Sequence, residues 1–314
     1  MSHPRQVEHR DRLDGRWLRM AGSLSLVRRL ERTFDGAGVT GLRHDARMTS
    51  CRILTPTLLD APVPGLDRVA EQGGWLLNAP PLPAGDQMAR TGRVLTALAA
   101  QVEVAARKGR LPIALGGDCC QAIAVLAGLA RAGVQPTLLW LDAHGDFNTH
   151  ETTVSGFVGG MPLAMLVGRG RQDLVEAAGL EPIPERDVVL CDARNLDLKE
   201  AVALRASAIT HLTSIDDAMA ALPADRPVYV HIDVDVVNGG ELKKTLYPEP
   251  GGPSGADVRR ALLRLRETRD LAAVSMTAWS PALDADGQAA AFCLGLLDLL
   301  AAPRAGDRAV RGAS

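Results

Sequence analysis

The segment TLLWLDAHGD, residues 137–146, opens as a strand-like run and closes on a cluster of ionisable groups. Residues 137–141 show no polar alternation after the first threonine, as expected of a strand buried on both faces. Asp142, His144 and Asp146 then occupy every second position. In extended or turning backbone, that spacing brings three side chains to one side. A strand tip is where such a set can converge on a ligand.

The same grammar extends in both directions. Short apolar runs are expected as strands at 51–54, 112–115, 137–141, 187–191, 208–212, 228–237 and 271–277. Helical spacing marks 88–108, 120–132, 256–267 and 287–301. Continuous apolar strands alternating with helices predict an α/β protein, a central parallel sheet covered on both faces in three layers. Ligands of such sheets bind beyond the carboxyl ends of strands. The chemistry is therefore expected just after Leu115, Leu141 and Ile232, and also after Cys191 and Thr277.

A second cluster, YVHIDVDV (229–236), shares this logic. Alternation sends His231, Asp233 and Asp235 to one face and Val230, Ile232, Val234 and Val236 to the other. Two aspartates on so apolar a strand need countercharge. Four converging carboxylates (Asp142, Asp146, Asp233, Asp235) cannot all stay ionised without cations. Two divalent ions would roughly neutralise them, and oxygens with one imidazole suit Mn²⁺ or a similar first-row metal. The plainer alternative is a pair of unrelated Asp-rich turns.

Composition narrows the function class. The 314 residues carry a net charge of −2, too near neutral for a dedicated nucleic-acid binder. No apolar run reaches the roughly 18–20 residues of a membrane span. The opening stretch has no apolar signal region. Five cysteines, odd in number and irregularly spaced, suit a reducing, cytoplasmic setting better than a disulfide framework. Ten arginines and six acids fall in residues 1–49, giving that segment +4 against −6 for the remainder. It is expected to be an Arg-rich extension with a short helix near 16–32. Residues 50–302 are expected to form one folded domain, and 303–314 a disordered tail.

LGGDCC (115–120), WLDAHGDFNTHETTVSGFVGGMPLAM (140–165) and VHIDVDVVN (230–238) resemble, in order and separation, the three metal motifs of the ureohydrolase superfamily, the arginases and agmatinases. The resemblance implies a three-layer α/β/α sandwich and hydrolysis of a guanidino C–N bond by a hydroxide shared between two Mn²⁺. It also implies a cytoplasmic homo-oligomer acting on a small molecule. Asp142 and Asp233 would bridge the metals. Asp146 and Cys119 would complete one site, and His144 and Asp235 the other. Asp146 would also hold the attacking hydroxide. Asn148, Thr153 and Ser155 fall where amino-acid-using members bind the substrate carboxylate, although capping of their own loop is the alternative. Arg194 and Asp197 are candidates for contact with a substrate carboxylate or amine.

Several positions depart from the family pattern. Cys119 replaces a metal-binding histidine, and a thiolate opens that site to Zn²⁺ or Fe²⁺. Gly159 stands where arginases carry a proton-shuttling histidine, and Phe157 where they carry an asparagine. His231 is then a candidate proton donor, against the alternative of a hydrogen-bonded core histidine. Ala278 replaces a glutamate that grips the guanidinium, with no neighbouring Glu in its place, at a cost of about 1.5–3 kcal/mol for one charge-assisted hydrogen bond. The Cys119 variant and GFVGGM are similar to a narrower branch, the Nω-hydroxy-L-arginine hydrolases of D-cycloserine biosynthesis. The expected activity is hydrolysis of a guanidino, hydroxyguanidino or amidino compound in bacterial secondary metabolism. A catalytically impaired binding or scaffold protein and an amide hydrolase are the alternatives.

Overall fold

A computed structural model of the protein describes residues 50–243 and 245–303. The Arg-rich segment 1–49, its expected helix near 16–32, and residues 304–314 lie outside the described residues. In chain order the main elements begin with β1 (Ser50–Thr55), β2 (Trp75–Leu77), α1 (Gln87–Arg107), β3 (Leu111–Gly116) and α2 (Gln121–Arg131). They continue with β4 (Thr137–His144), α3 (Pro162–Leu166), α4 (Asp173–Ala178), β5 (Val188–Asn195), α5 (Leu198–Arg205) and β6 (Thr210–His211). The last are α6 (Ile215–Ala221), β7 (Val228–Asp233), α7 (Gly255–Thr268), β8 (Leu271–Thr277) and α8 (Gln288–Ala301).

The eight strands form one sheet in the order β2-β1-β3-β8-β7-β4-β5-β6. Every pairing in it is parallel. Helices α1, α2 and α4 pack together on one face, and α6, α7 and α8 cover the other. The fold is thus the expected α/β/α sandwich. Leu115, Leu141, Val230, Ile232, Val274 and Met276 pack with Val258, Leu262 and Leu296 in one buried cluster on the second face. The alternation read in YVHIDVDV holds here. Val228, Val230, Ile232, Val234 and Val236 enter that cluster, while Tyr229, His231 and Asp233 turn the other way.

Helix starts follow local chemistry. The Asp86 carboxylate accepts from the Ala89 amide at 2.8 Å to open α1, and Ser254 with Asp257 forms a reciprocal cap on α7. One expectation needs correction. The strand read at 228–237 ends at Asp233 and passes into a 3-10 turn, Val234–Val236. The Asp233 carboxylate accepts from the Asp235 amide at 3.0 Å, and this local bond turns the chain out of the sheet. The short strand β2 and helices α3 to α6 carry too few residues for a periodic signal and were not expected.

At the α1–α2 contact, a Cβ on Gly128 would stand 2.6 Å from both the Ala99 carbonyl and the Val102 Cβ. Gly128→Ala is therefore expected to destabilise the fold by about 1–3 kcal/mol through overpacking. Thermal unfolding measures this, and an unchanged midpoint would show that the two helices separate freely.

Candidate metal centre

Five adjacent strands, β3-β8-β7-β4-β5, end on the same edge of the sheet. Asp142 and His144 come from the end of β4, and Asp146 follows one residue past Gly145. Asp233 ends β7, and the turn after it supplies Asp235. Cys119 lies in the Gly116–Gln121 connection between β3 and α2. Its chain can pass there because Gly117 has no side chain; a Cβ would sit 2.4 Å from the Thr57 carbonyl. Thr277, in register with Asp233, closes the floor.

The predicted ligands meet. Ligand atoms of Cys119, Asp142 and Asp146 all lie within 4.8 Å of one another, and so do those of Asp142, His144 and Asp235. The two sets share Asp142. Asp233 joins the first through Cys119, whose thiol donates to Asp233 Oδ2 at 3.1 Å and lies 3.1 Å from the Thr277 hydroxyl. His144 Nδ1 stands 3.0 Å from Asp235 Oδ2 and 3.5 Å from Asp142 Oδ1.

Fixed donors hold the carboxylates. Asp142 accepts from the Trp140 indole at 3.0 Å and the His144 amide at 2.7 Å. Asp235 accepts from the Ala143 amide at 3.1 Å. Asp146 adopts φ +47°, a strained conformation costing about 1–3 kcal/mol for a non-glycine residue. Its carbonyl accepts the Leu163 and Ala164 amides at the start of α3, at 2.9 and 3.2 Å.

These charges strongly disfavour one another. Burial, then the Asp233 charge, pushes Asp142 up to about 6. Burial, then Asp142, raises Asp235 to about 6. Asp146 and Asp233 are raised well above the carboxylate range, by burial first and by neighbouring aspartates second. Burial opposes the His144 cation, but Asp142 and Asp235 outweigh it and lift His144 to about 12. Burial followed by Asp233 raises the Cys119 thiol well above its ordinary range. Asp146 Oδ2 is buried and accepts no hydrogen bond among the described residues. An orphaned carboxyl oxygen beside three more carboxyl groups, an imidazole and a thiol fits a pair of divalent cations, which would favour the ionised forms.

The cluster floors a cavity of about 480 Å³. Cys119, His144, Asp146, Asn148, Ser155, Asp197, Asp233 and Asp235 line it, as do Phe157, Gly159, Tyr247 and Ala278. Asn148 donates to Asp197 at 3.1 Å. Asp142 is buried beneath the lining.

Three candidates lie elsewhere. Thr153 caps its own loop, accepting from the Gly156 amide at 3.0 Å. Arg194 does not face the cavity. Its guanidinium binds Asp192 at 2.9 Å and the carbonyls of Asp235, Val236, Glu249 and Pro250 at 2.9–3.1 Å, so it clamps two loops together. His231 is buried below the lining, its ring 3.9 Å from that of Trp140 and its Nδ1 2.8 Å from the Ser275 hydroxyl. Burial lowers its pKa to about 3. It is a core histidine in this arrangement.

Other residues were not singled out from sequence. Glu249 Oε1 lies 3.4 Å from His144 Nε2 and accepts from the Asn195 amide group at 2.8 Å. It thus orients the imidazole whose Nδ1 faces the carboxylates. Its signal was a lone Glu between two prolines in YPEPGG (247–252), a rigid loop. Glu200 accepts from the Phe147 amide at 2.9 Å and supports the loop carrying Asp146.

Comparison with known proteins agrees with this geometry. Residues 43–300 match the arginase family. The chain belongs to that family, within the ureohydrolase superfamily, and is a hydrolase of C–N bonds in linear amidines. It is 30% identical over 254 residues to an arginase of Bacillus caldovelox, across 77% of this chain and 82% of that one. It is 34% identical over 152 residues to an N(omega)-hydroxy-L-arginine amidinohydrolase of Streptomyces lavendulae, across 48% of this chain and 54% of that one. A crystal structure of arginase from Bacillus subtilis superposes with a TM-score of 0.70 at 26% identity, covering 82% of this chain and 99% of that one. Among the described residues, no helix is long and apolar enough to cross a membrane.

Two outcomes are expected. Glu249→Ala should weaken ion binding about 10- to 100-fold, read by calorimetric titration of metal-free protein; equal affinity would remove Glu249 from the support of the site. Because His231 titrates near 3 when folded and near 6.5 when unfolded, only the unfolded chain takes up its proton as pH falls below about 6.5. His231 should therefore subtract about 2 kcal/mol of stability by pH 5. Urea unfolding of His231→Gln at pH 7 and 5 should show a smaller acid loss than the unmodified protein.

Proposed function

We propose that the protein is a two-metal amidinohydrolase that cleaves the C–N bond of a guanidino, hydroxyguanidino or amidino compound. The observation that carries this reading is the pair of ligand sets sharing Asp142 at the floor of one cavity. Cys119, Asp142, Asp146 and Asp233 would hold one ion. Asp142, His144, Asp233 and Asp235 would hold the other. The oxygen-rich His144 side suits Mn²⁺, whereas the Cys119 thiolate favours Zn²⁺ or Fe²⁺ in its place. When bound, the ions would supply an acidified water and polarise the group under attack.

The chain's own residues do the positioning. Asp146 Oδ2, free of protein donors among the described residues, accepts a hydrogen bond from the attacking water and aims it at the sp² carbon. Asp197, joined to Asn148 at the rim, offers a carboxylate for a substrate ammonium, and Ser155 a hydroxyl for its carboxylate. Ala278 offers no charge to a guanidinium. A weakly basic hydroxyguanidine or amidine therefore loses less than L-arginine would.

Metal analysis and a product assay test the reading together. Metal-loaded protein should release urea, hydroxyurea or ammonia from members of a guanidino and amidino panel. Asp233→Ala should lower turnover by at least about two orders of magnitude, as removal of a site-forming charge does in preorganised sites. Full metal occupancy with no turnover on the panel would favour a binding or scaffold role. Carboxylate release from amides alone would make it an amide hydrolase.

A further inference from the structure

We propose that the wall formed by Phe157, Tyr247, Leu58 and Ala278 selects a guanidinium or amidinium whose terminal nitrogen carries an alkyl group. This rests on the amidinohydrolase reading above and adds a substrate class to it.

The wall is a built feature. A Cβ on Gly159 would lie 2.3 Å from Phe157 Cε1 and 2.5 Å from its Cζ. The Phe157 ring therefore fills the space a side chain at 159 would need, and any polar group there is excluded. The Phe157 and Tyr247 rings stand 6.0 Å apart, centroid to centroid, tilted by 49°. The Leu246 amide donates to the Ala278 carbonyl at 2.9 Å, and Thr245 bridges to Trp279. Those bonds set Tyr247 beside Ala278 on the same lining.

The carboxylates of the cavity are otherwise engaged, Asp197 with Asn148 at the rim, where it is assigned to the substrate ammonium. Asp146, Asp233 and Asp235 belong to the ligand sets or their support. Asp118 accepts the Leu59 and Cys120 amides at 2.6 and 2.9 Å. Glu200 accepts the Phe147 and Asp197 amides at 2.9 and 3.1 Å. An N–H aimed at the wall thus meets ring faces, a methyl group and one phenol. On this wall an unsubstituted nitrogen finds only the Tyr247 hydroxyl as an acceptor, so a donor turned to Phe157, Leu58 or Ala278 loses its hydrogen bond. An N-methyl group removes a donor and buries apolar area instead, while the cation keeps its attraction to the ring faces.

The reaction balances without a further reagent. The water oxygen bonds to the central carbon, the bond from that carbon to the chain nitrogen breaks, and both protons of the water end on that nitrogen. An N-methylguanidinium gives N-methylurea and a primary ammonium.

The test uses the metal-loaded full chain with L-arginine, Nω-methyl-L-arginine and Nω,Nω-dimethyl-L-arginine, and detects urea, methylurea and dimethylurea by mass spectrometry. A methylated probe should exceed the unsubstituted one about tenfold in kcat/KM, the size expected from one buried methyl and one spared donor. Phe157→Ser and Tyr247→Ser should each bring that ratio towards one. Equal or better hydrolysis of the unsubstituted probe overturns the proposal and leaves the amidinohydrolase reading standing. If no probe turns over, calorimetric binding to the same protein decides. Tighter binding of the methylated probe, lost in both variants, upholds the wall's selectivity, and the hydrolase reading falls with it only when the guanidino and amidino panel is also left uncleaved. Equal binding overturns the wall as well.

Discussion

Mutual repulsion among Asp142, Asp146, Asp233 and Asp235 is the constraint around which the molecule is arranged. Left in water, these carboxylates would drift apart; here the edge of a parallel sheet forces them into one buried space. Each has a distinct restraint. The Trp140 indole fixes Asp142, the turn after β7 fixes Asp233, the Ala143 amide fixes Asp235, and a strained backbone fixes Asp146. Such a site accumulates unfavourable charge in the fold so that cations can relieve it, and binding of the cations becomes part of folding stability.

A polar layer lies directly beneath. Trp140, Tyr229, His231, Ser275 and Thr277 share the face opposite the large apolar cluster. Tyr229 and His231 hydrogen-bond Ser275 between β7 and β8, and the Trp140 ring packs on His231 from β4, tying together the strands that present the candidate ligands. Above the sheet edge, loops are pinned by charge rather than by apolar packing. Arg194 holds the Glu249 loop against the Asp235 turn, Glu249 meets His144, and Glu200 braces the chain after Asp146. Removing one of these supports therefore reaches the metal residues without touching them.

How far the sequence could be read varied with the kind of signal. Strands β3, β4, β7 and β8 were legible because each is a continuous apolar run ending on a polar cluster. The candidate ligands Asp142, His144, Asp146, Asp233 and Asp235 were legible because their spacing sits on those strand ends, whereas Cys119 came only from the resemblance to the family's first motif. Asp235 was placed on the right side for an incomplete reason: alternation within a strand was expected, and a 3-10 turn delivers it. His231 was read as a candidate proton donor because it shares a strand face with Asp233, and Arg194 as a substrate contact from its place just after a strand. Neighbourhood along the chain does not say which way a side chain points once a loop turns over it. Glu249 went unseen, fourteen positions beyond Asp235, because only folding returns its loop to His144.

By itself, then, the chain's order of residues determined the sheet, its two helical coverings and the identity of the ionisable groups at its edge. Those follow from short-range rules, the period of the apolar residues and the reluctance of carboxylates to be buried alone. Tertiary structure decided the rest: that Glu249 returns to His144, that Arg194 clamps loops, and that the ring of Phe157 occupies the room left by Gly159. Each of these is a distance between residues far apart along the chain or on a turning loop. Such distances are set by packing of the whole domain, which no local pattern encodes.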